Sequence, residues 1–163
     1  MRQKLSLILL MLETPHVIVG AAIATHVVNP ALALPLALGS HFILDRIPHW
    51  NPHLFTETQK YGQPSQQSTI IVWVDVGLAL GLGLFVASRY LDNPTMVVVI
   101  LASCFASVLP DLVKWPYYFL KKRGGLLEKW VLFERNLQVN ATFWPGVFSQ
   151  VAVVAASFLW IFT

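Results

Sequence analysis

The chain has one cysteine, Cys104, among its 163 residues. That excludes an internal disulfide and any zinc site built on several thiolates. Cys104 stands in an apolar run and reads as a small, inert hydrophobe. Charge is scarce as well: Asp, Glu, Lys and Arg make up 12% of the residues, about half the usual share of a soluble domain. With 56% hydrophobic residues and a mean hydropathy of +0.62, the composition excludes an ordinary soluble domain. The net charge of +3 is, in such a chain, the mark of basic loops facing the cytoplasm, so no nucleic-acid partner is expected. A Gly-rich phosphate loop, a G-x-S-x-G elbow and a haem-attachment motif are all missing. P-loop chemistry, serine hydrolysis of the elbow type and covalently attached haem therefore have nothing to rest on.

What remains is an all-α integral membrane protein in a single domain, 1–163. It has about five transmembrane helices plus an amphipathic interfacial helix. Residues 1–12 open with charge and continue apolar, as a signal peptide does. No small-x-small cleavage site follows, so the stretch is read as retained. Spans are expected at about 15–28, 31–47, 69–90, 95–109 and 143–162. The interfacial helix is expected at about 126–139. Thr14-Pro15 is a helix start and Asn29-Pro30 a stop. The first helix is short, since about 14 residues reach roughly 21 Å against a hydrocarbon core of about 30 Å. Gly20, Ala21, Ala22 and Ala24 suit close helix packing, and Gly77, Gly81 and Gly83 give the third span a small-residue face. Trp115, Tyr117 and Tyr118 read as an interfacial aromatic belt, and 49–68 as a long polar loop of the kind used as a lid.

The chemistry gathers in Ser40 to His53, S-H-F-I-L-D-R-I-P-H-W-N-P-H. His41 and Asp45 are four residues apart and share a helix face. Pro48 ends the helix near Ile47, and His49 follows at its mouth. The two-residue link at Asn29-Pro30 folds the first two helices into an antiparallel hairpin. The start of the first helix then returns beside the end of the second, which brings His16 to Asp45 and His49. Asp75 lies inside the third span and requires a donor or cation from elsewhere. Asp111 closes the fourth, with Lys114 three residues on as a pairing partner. Glu134, Asn136 and Gln138 read as a solvated face, and His26, at the opposite end from the other histidines, as structural.

If the spans alternate, every Lys and Arg except Arg89 falls on one side, which places that side in the cytoplasm of a cell inner (plasma) membrane. His16, Asp45, His49, Asp75 and Asp111 fall toward the same side. Imidazole and carboxylate ligands suit a divalent ion, zinc first, with manganese or iron as alternatives. His16, His41, Asp45 and His49 are the expected ligands. Asp75 and Asp111 are further ligands, orienting groups or a general base, and are the expected catalytic residues. A basic rim would draw an anionic lipid headgroup or a phosphoester substrate from among the membrane lipids.

T-P-H-x-x-x-G at Thr14 to Gly20, H-F-x-x-D-x-x-P-H at His41 to His49, and L-P-D at Leu109 to Asp111 resemble the YdjM-type membrane-bound, predicted metal-dependent hydrolases. The likeness covers roughly the first 110 residues, and an H-R-x-x-T-H-S motif associated with that family is absent. It implies a metal-dependent hydrolase acting on a phosphoester or lipid-related substrate. Two other classes fit the composition: a non-catalytic membrane scaffold or partner subunit, and a metal-ion or proton-coupled transporter.

Overall fold

A computed structural model describes residues 11–163; the reading of the leading stretch falls mainly on 1–10, outside the described residues. The described chain forms seven helices: α1 Glu13–His26, α2 Pro30–Leu44, α3 Leu54–Tyr61, α4 Gln66–Ser88, α5 Pro94–Phe119, α6 Gly125–Leu137 and α7 Phe143–Ile161. Their starts follow the local sequence. Asn29, Ser65 and Asn93 cap α2, α4 and α5 with side-chain oxygens that accept from backbone N–H groups of the first turn. Pro30 and Pro94 occupy the first helical position, where a missing N–H costs nothing.

Among the described residues, three helices are long and apolar enough to cross a membrane: α4, α5 and α7. The expectation of about five is corrected, because α1 and α2 have 14 and 15 residues. Thr14-Pro15, Asn29-Pro30 and Pro48 bracket them too closely for a full span. They form the expected antiparallel hairpin, and α1 packs on α2, α4, α5 and α7 at once. Small residues permit this: Gly20, Ala21, Ala22 and Ala24 are all buried. A methyl group on Gly20 would stand 2.7 Å from the Ser103 carbonyl oxygen of α5. On α4 only Gly83 is used this way, facing Val17; Gly77 and Gly81 have open space where a Cβ would be.

Helix α5 runs ten residues past its expected end at 109, through Pro110 and Pro116. Proline is tolerated inside such a helix, and the Trp130 indole of α6 donates to the Pro110 carbonyl, tying α6 to this turn. The 26 residues of α5 reach about 39 Å, longer than the hydrocarbon core. Pro116 stands in its last turn. There Tyr117 and Tyr118 are buried against Leu54, Phe55 and Val131, so they form a small core under α3 and α6 instead of an interfacial belt. The 49–68 segment likewise contains a helix, α3. Glu57 fastens it by accepting from Ser65 and Ser68 at the start of α4.

Candidate metal centre

His16 comes from the first turn of α1, His41 from the last turn of α2 and Asp45 from the α2 C-cap; all three are fully buried, as is His49. The hairpin brings His16, His41 and Asp45 together as expected, and the cluster of possible ligands with atoms within 4.8 Å of one another takes in His16, His41 and Asp111, not His49. His16 Nε2 lies 3.6 Å from Asp45 Oδ1, and His41 Nε2 lies 3.5 Å from Asp45 Oδ2. The two imidazoles stack with ring centroids 4.1 Å apart. That leaves no room for a porphyrin plane between them.

These separations are informative. A hydrogen bond to nitrogen closes to about 2.7–3.2 Å. Two donors held at about 2.0–2.1 Å on a tetrahedral ion stand about 3.3 Å apart. The observed 3.5 and 3.6 Å are nearer the second. The tautomers point the same way. His41 Nδ1 lies 2.8 Å from the Ser107 carbonyl, and His49 Nδ1 lies 2.7 Å from the Ile47 carbonyl. A carbonyl only accepts, so both Nδ1 atoms carry the proton. In the neutral ring each Nε2 is then a bare lone pair, the arrangement of a metal-ligating histidine fixed by its other nitrogen. Neither Nε2 has a hydrogen-bond partner, and neither nitrogen of His16 has one. Burial holds the His49 imidazole below its ordinary value, so it is neutral at physiological pH.

Carboxylates surround these lone pairs. His16, His41 and Asp111 each offer one ligand atom, all within 4.8 Å of one another, and could hold a metal ion. Glu134 Oε1 stands 4.0 Å from His41 Nε2. The Lys114 ammonium contacts both Asp111 and Glu134 and is buried with them. Asp45, Asp111 and Glu134 thus face one ammonium. Ionised, they carry an excess of two negative charges in a buried space, which a divalent cation would neutralise. Burial pushes the Glu134 carboxyl up to about 7, against the opposing pull of Lys114.

The loop carrying His49 is stitched in place by backbone bonds. Val139 donates to Asp45, His49 to Val139, and Ala141 to His49. Gln150 of α7 donates to the Trp50 carbonyl and accepts from the Leu12 N–H, tying this loop to the start of α1. Gly146 lets α7 reach it, since a Cβ there would lie 2.3 Å from the Trp50 nitrogen.

Asp75 has a different setting from the other carboxylates. It accepts from the Glu13 N–H at 2.5 Å, the Thr14 N–H at 3.3 Å and the Thr14 hydroxyl at 2.6 Å. Helix α1 has no side-chain cap of its own, and Asp75 supplies one from α4, satisfying orphan N–H groups. The helix therefore starts at Glu13, ahead of Thr14-Pro15. Asp75 thus fixes the start of the helix that carries His16.

Sequence reasoning placed Glu134 and Gln138 on a solvated face; only Asn136 of that trio is exposed. Glu134 is fully buried, and the Gln138 amide lies 3.4 Å from Asp45 Oδ2. The available signal was their four-residue spacing behind Val131, which puts all three on one face of α6. Asn51 and Glu13 were also missed. Asn51 is fully buried with neither amide atom hydrogen-bonded, and Glu13 brings a further carboxyl beside Asp111. No family model matches this chain, and neither a curated protein nor a solved structure matches it.

Proposed function

We propose that this chain is a membrane-embedded, metal-dependent hydrolase of the inner membrane, with its site at the cytoplasmic face. The observation that carries the reading is His41. Its Nδ1 is committed to the Ser107 carbonyl, and its Nε2 faces carboxyl oxygens of Asp45 and Glu134 without a hydrogen bond. Lone pairs pointed at carboxylates in a buried space call for a cation. The N/O donor set of His16, His41, Asp45 and His49, with Asp111 adjoining, suits zinc first and manganese or iron next.

A divalent ion held there would polarise a phosphoryl or carbonyl oxygen and acidify a bound water. The chain's own groups would do the rest. Asp111 is placed to accept a proton beside the ligands, and Lys114 orients it. The resemblance at Thr14 to Gly20, His41 to His49 and Leu109 to Asp111 supports the same assignment, as does the basic bias that sets the orientation.

The test is metal content of tag-free protein purified in detergent without chelator, beside His41→Ala and Asp45→Ala. Near-stoichiometric metal that both variants lose, with phosphoester hydrolysis lost in parallel, is the expected result. A folded wild type that takes up no metal on reloading would overturn the reading and favour a non-catalytic scaffold.

A further inference from the structure

A cavity of about 330 Å³ lies between α4 and α5, and its lining changes character from end to end. One end is polar, bounded by Glu13, Asn51, Asp75, Asp111 and Lys114. Asp111 and Lys114 belong equally to the candidate metal centre. The remainder is apolar and follows one stripe of each helix: Val72, Val76, Ala79 and Gly83 on α4, Cys104 and Val108 on α5. The spacing of three and four residues is that of a single helix face.

We propose that this cavity is the tail subsite for a membrane phospholipid whose head reaches Asn51 and the metal centre. Three observations carry it. First, the groove opens sideways: Leu80, Leu84 and Phe105 line it and are each about half exposed or more, on helices long enough to cross the membrane. What a bilayer offers at such an opening is hydrocarbon. Second, its depth fits. From Asp111 to Leu101 along α5 is ten residues, or about 15 Å. That is half of the hydrocarbon core of about 30 Å, the length of one leaflet's chains. Third, Asn51 is fully buried at the polar end with both amide atoms unpartnered. A buried amide left so is costly unless a ligand oxygen or donor completes it, and a phosphate or ester group supplies oxygens. The seating of the tail stands on the groove alone; treating the head as the reacting end rests on the hydrolase reading.

The experiment uses the full chain in vesicles of phosphatidylethanolamine and phosphatidylglycerol. These are doped with a phosphatidylglycerol carrying a photoactivatable diazirine midway along one acyl chain. Labelled positions are read by mass spectrometry, and metal content is measured on the same sample. Expected is several-fold stronger labelling at Leu80, Phe105 and Val108 than at Val151 and Leu159, apolar residues of α7 with similar or greater exposure than Leu80 and Phe105. Val76→Trp and Leu84→Trp, each with an unchanged thermal midpoint, should lose most of the groove labelling. Equal labelling of α7 and the groove would overturn the proposal. So would efficient disulfide formation between Cys104 and Leu5→Cys, which would assign the groove to the chain's own first residues. Groove labelling without metal would retain the tail subsite and overturn the hydrolase reading; metal without groove labelling would do the reverse.

Discussion

Helix α1 carries a histidine near each end, and the fold treats them in opposite ways. His26 is partnered within its own neighbourhood. Its Nδ1 contacts the Ala22 carbonyl and the Thr25 hydroxyl, and its ring stacks on Trp160 of α7 with centroids 4.6 Å apart. His16 is fully buried with neither ring nitrogen hydrogen-bonded, against a second imidazole and a carboxylate. The difference follows from what each end meets. At the His26 end, the exposed aromatic edge of α7 absorbs a ring. At the His16 end, α2 and α5 deliver His41, Asp45 and Asp111, and neither ring nitrogen of His16 is hydrogen-bonded. Residue type and helix are shared; what differs is the end of α1 and the groups that stand opposite it.

The largest way to break this contrast is to remove the imidazoles in turn. His16→Ala and His41→Ala should each abolish metal retention, with affinity falling by more than the about 10–100-fold typical of an outer partner. His26→Ala should leave it unchanged. Elemental analysis of the purified proteins decides. If His26→Ala lost metal as fully as His16→Ala, the contrast would be void.

Next in size is Lys114. It is the one ammonium among Asp111 and Glu134 in the described site. Lys114→Met leaves those carboxylates facing each other in a buried space. Breaking one side of such a pair costs about 3–5 kcal/mol, read as a large fall in thermal midpoint. Adding Glu134→Leu in the same chain should recover much of the loss, because the stranded charge goes with it. Failure to recover would mean that Glu134 is held chiefly by the centre, and its removal should then cost metal as well.

How far the sequence led can be judged from these same residues. The meeting of His16 with Asp45 was legible, because Asn29-Pro30 forces a hairpin and four-residue spacing sets a face. The pairing of Asp111 with Lys114 was legible for the same local reason. Glu134 was not, since it reaches His41 across 93 residues of chain and sits in a helix whose Leu126 and Trp130 pattern already satisfied an interfacial reading. The extension of α5 through Pro110 and Pro116 was also hidden. Proline reads as a stop in a sequence, whereas a long helix packed against α1, α2, α4 and α6 carries both prolines inside it. Tyr117 and Tyr118 looked like a belt because the helix that buries them, α3, lay inside a polar stretch with few apolar residues to announce it. Local chemistry was readable; what distant elements place opposite it was not.

Asp75 offers a smaller and sharper test. It caps α1 two residues from Pro15 and three from His16, so it should govern where His16 stands. Asp75→Asn keeps the shape and weakens the cap, which should cost about 1 kcal/mol of stability and a several-fold loss of metal affinity. A catalytic Asp75 would give another pattern: full metal content, unchanged stability and no turnover. Measuring thermal midpoint, metal and phosphoester hydrolysis on one preparation separates the two roles.

The smallest effect belongs to His26 itself. If its worth is the stack on Trp160, then His26→Ala should cost about 0.5–1.5 kcal/mol beyond the lost area, and Trp160→Ala a similar stacking increment. The two together should be less than additive, because each removes the same contact. His26→Phe keeps a flat ring and should be nearly neutral, whereas His16→Phe fills the same space and removes the donor. The first pair of rings would be interchangeable and the second would not. Thermal midpoints for the His26 series, set beside metal content for His16→Phe, would show that one end of α1 needs a ring and the other needs a nitrogen.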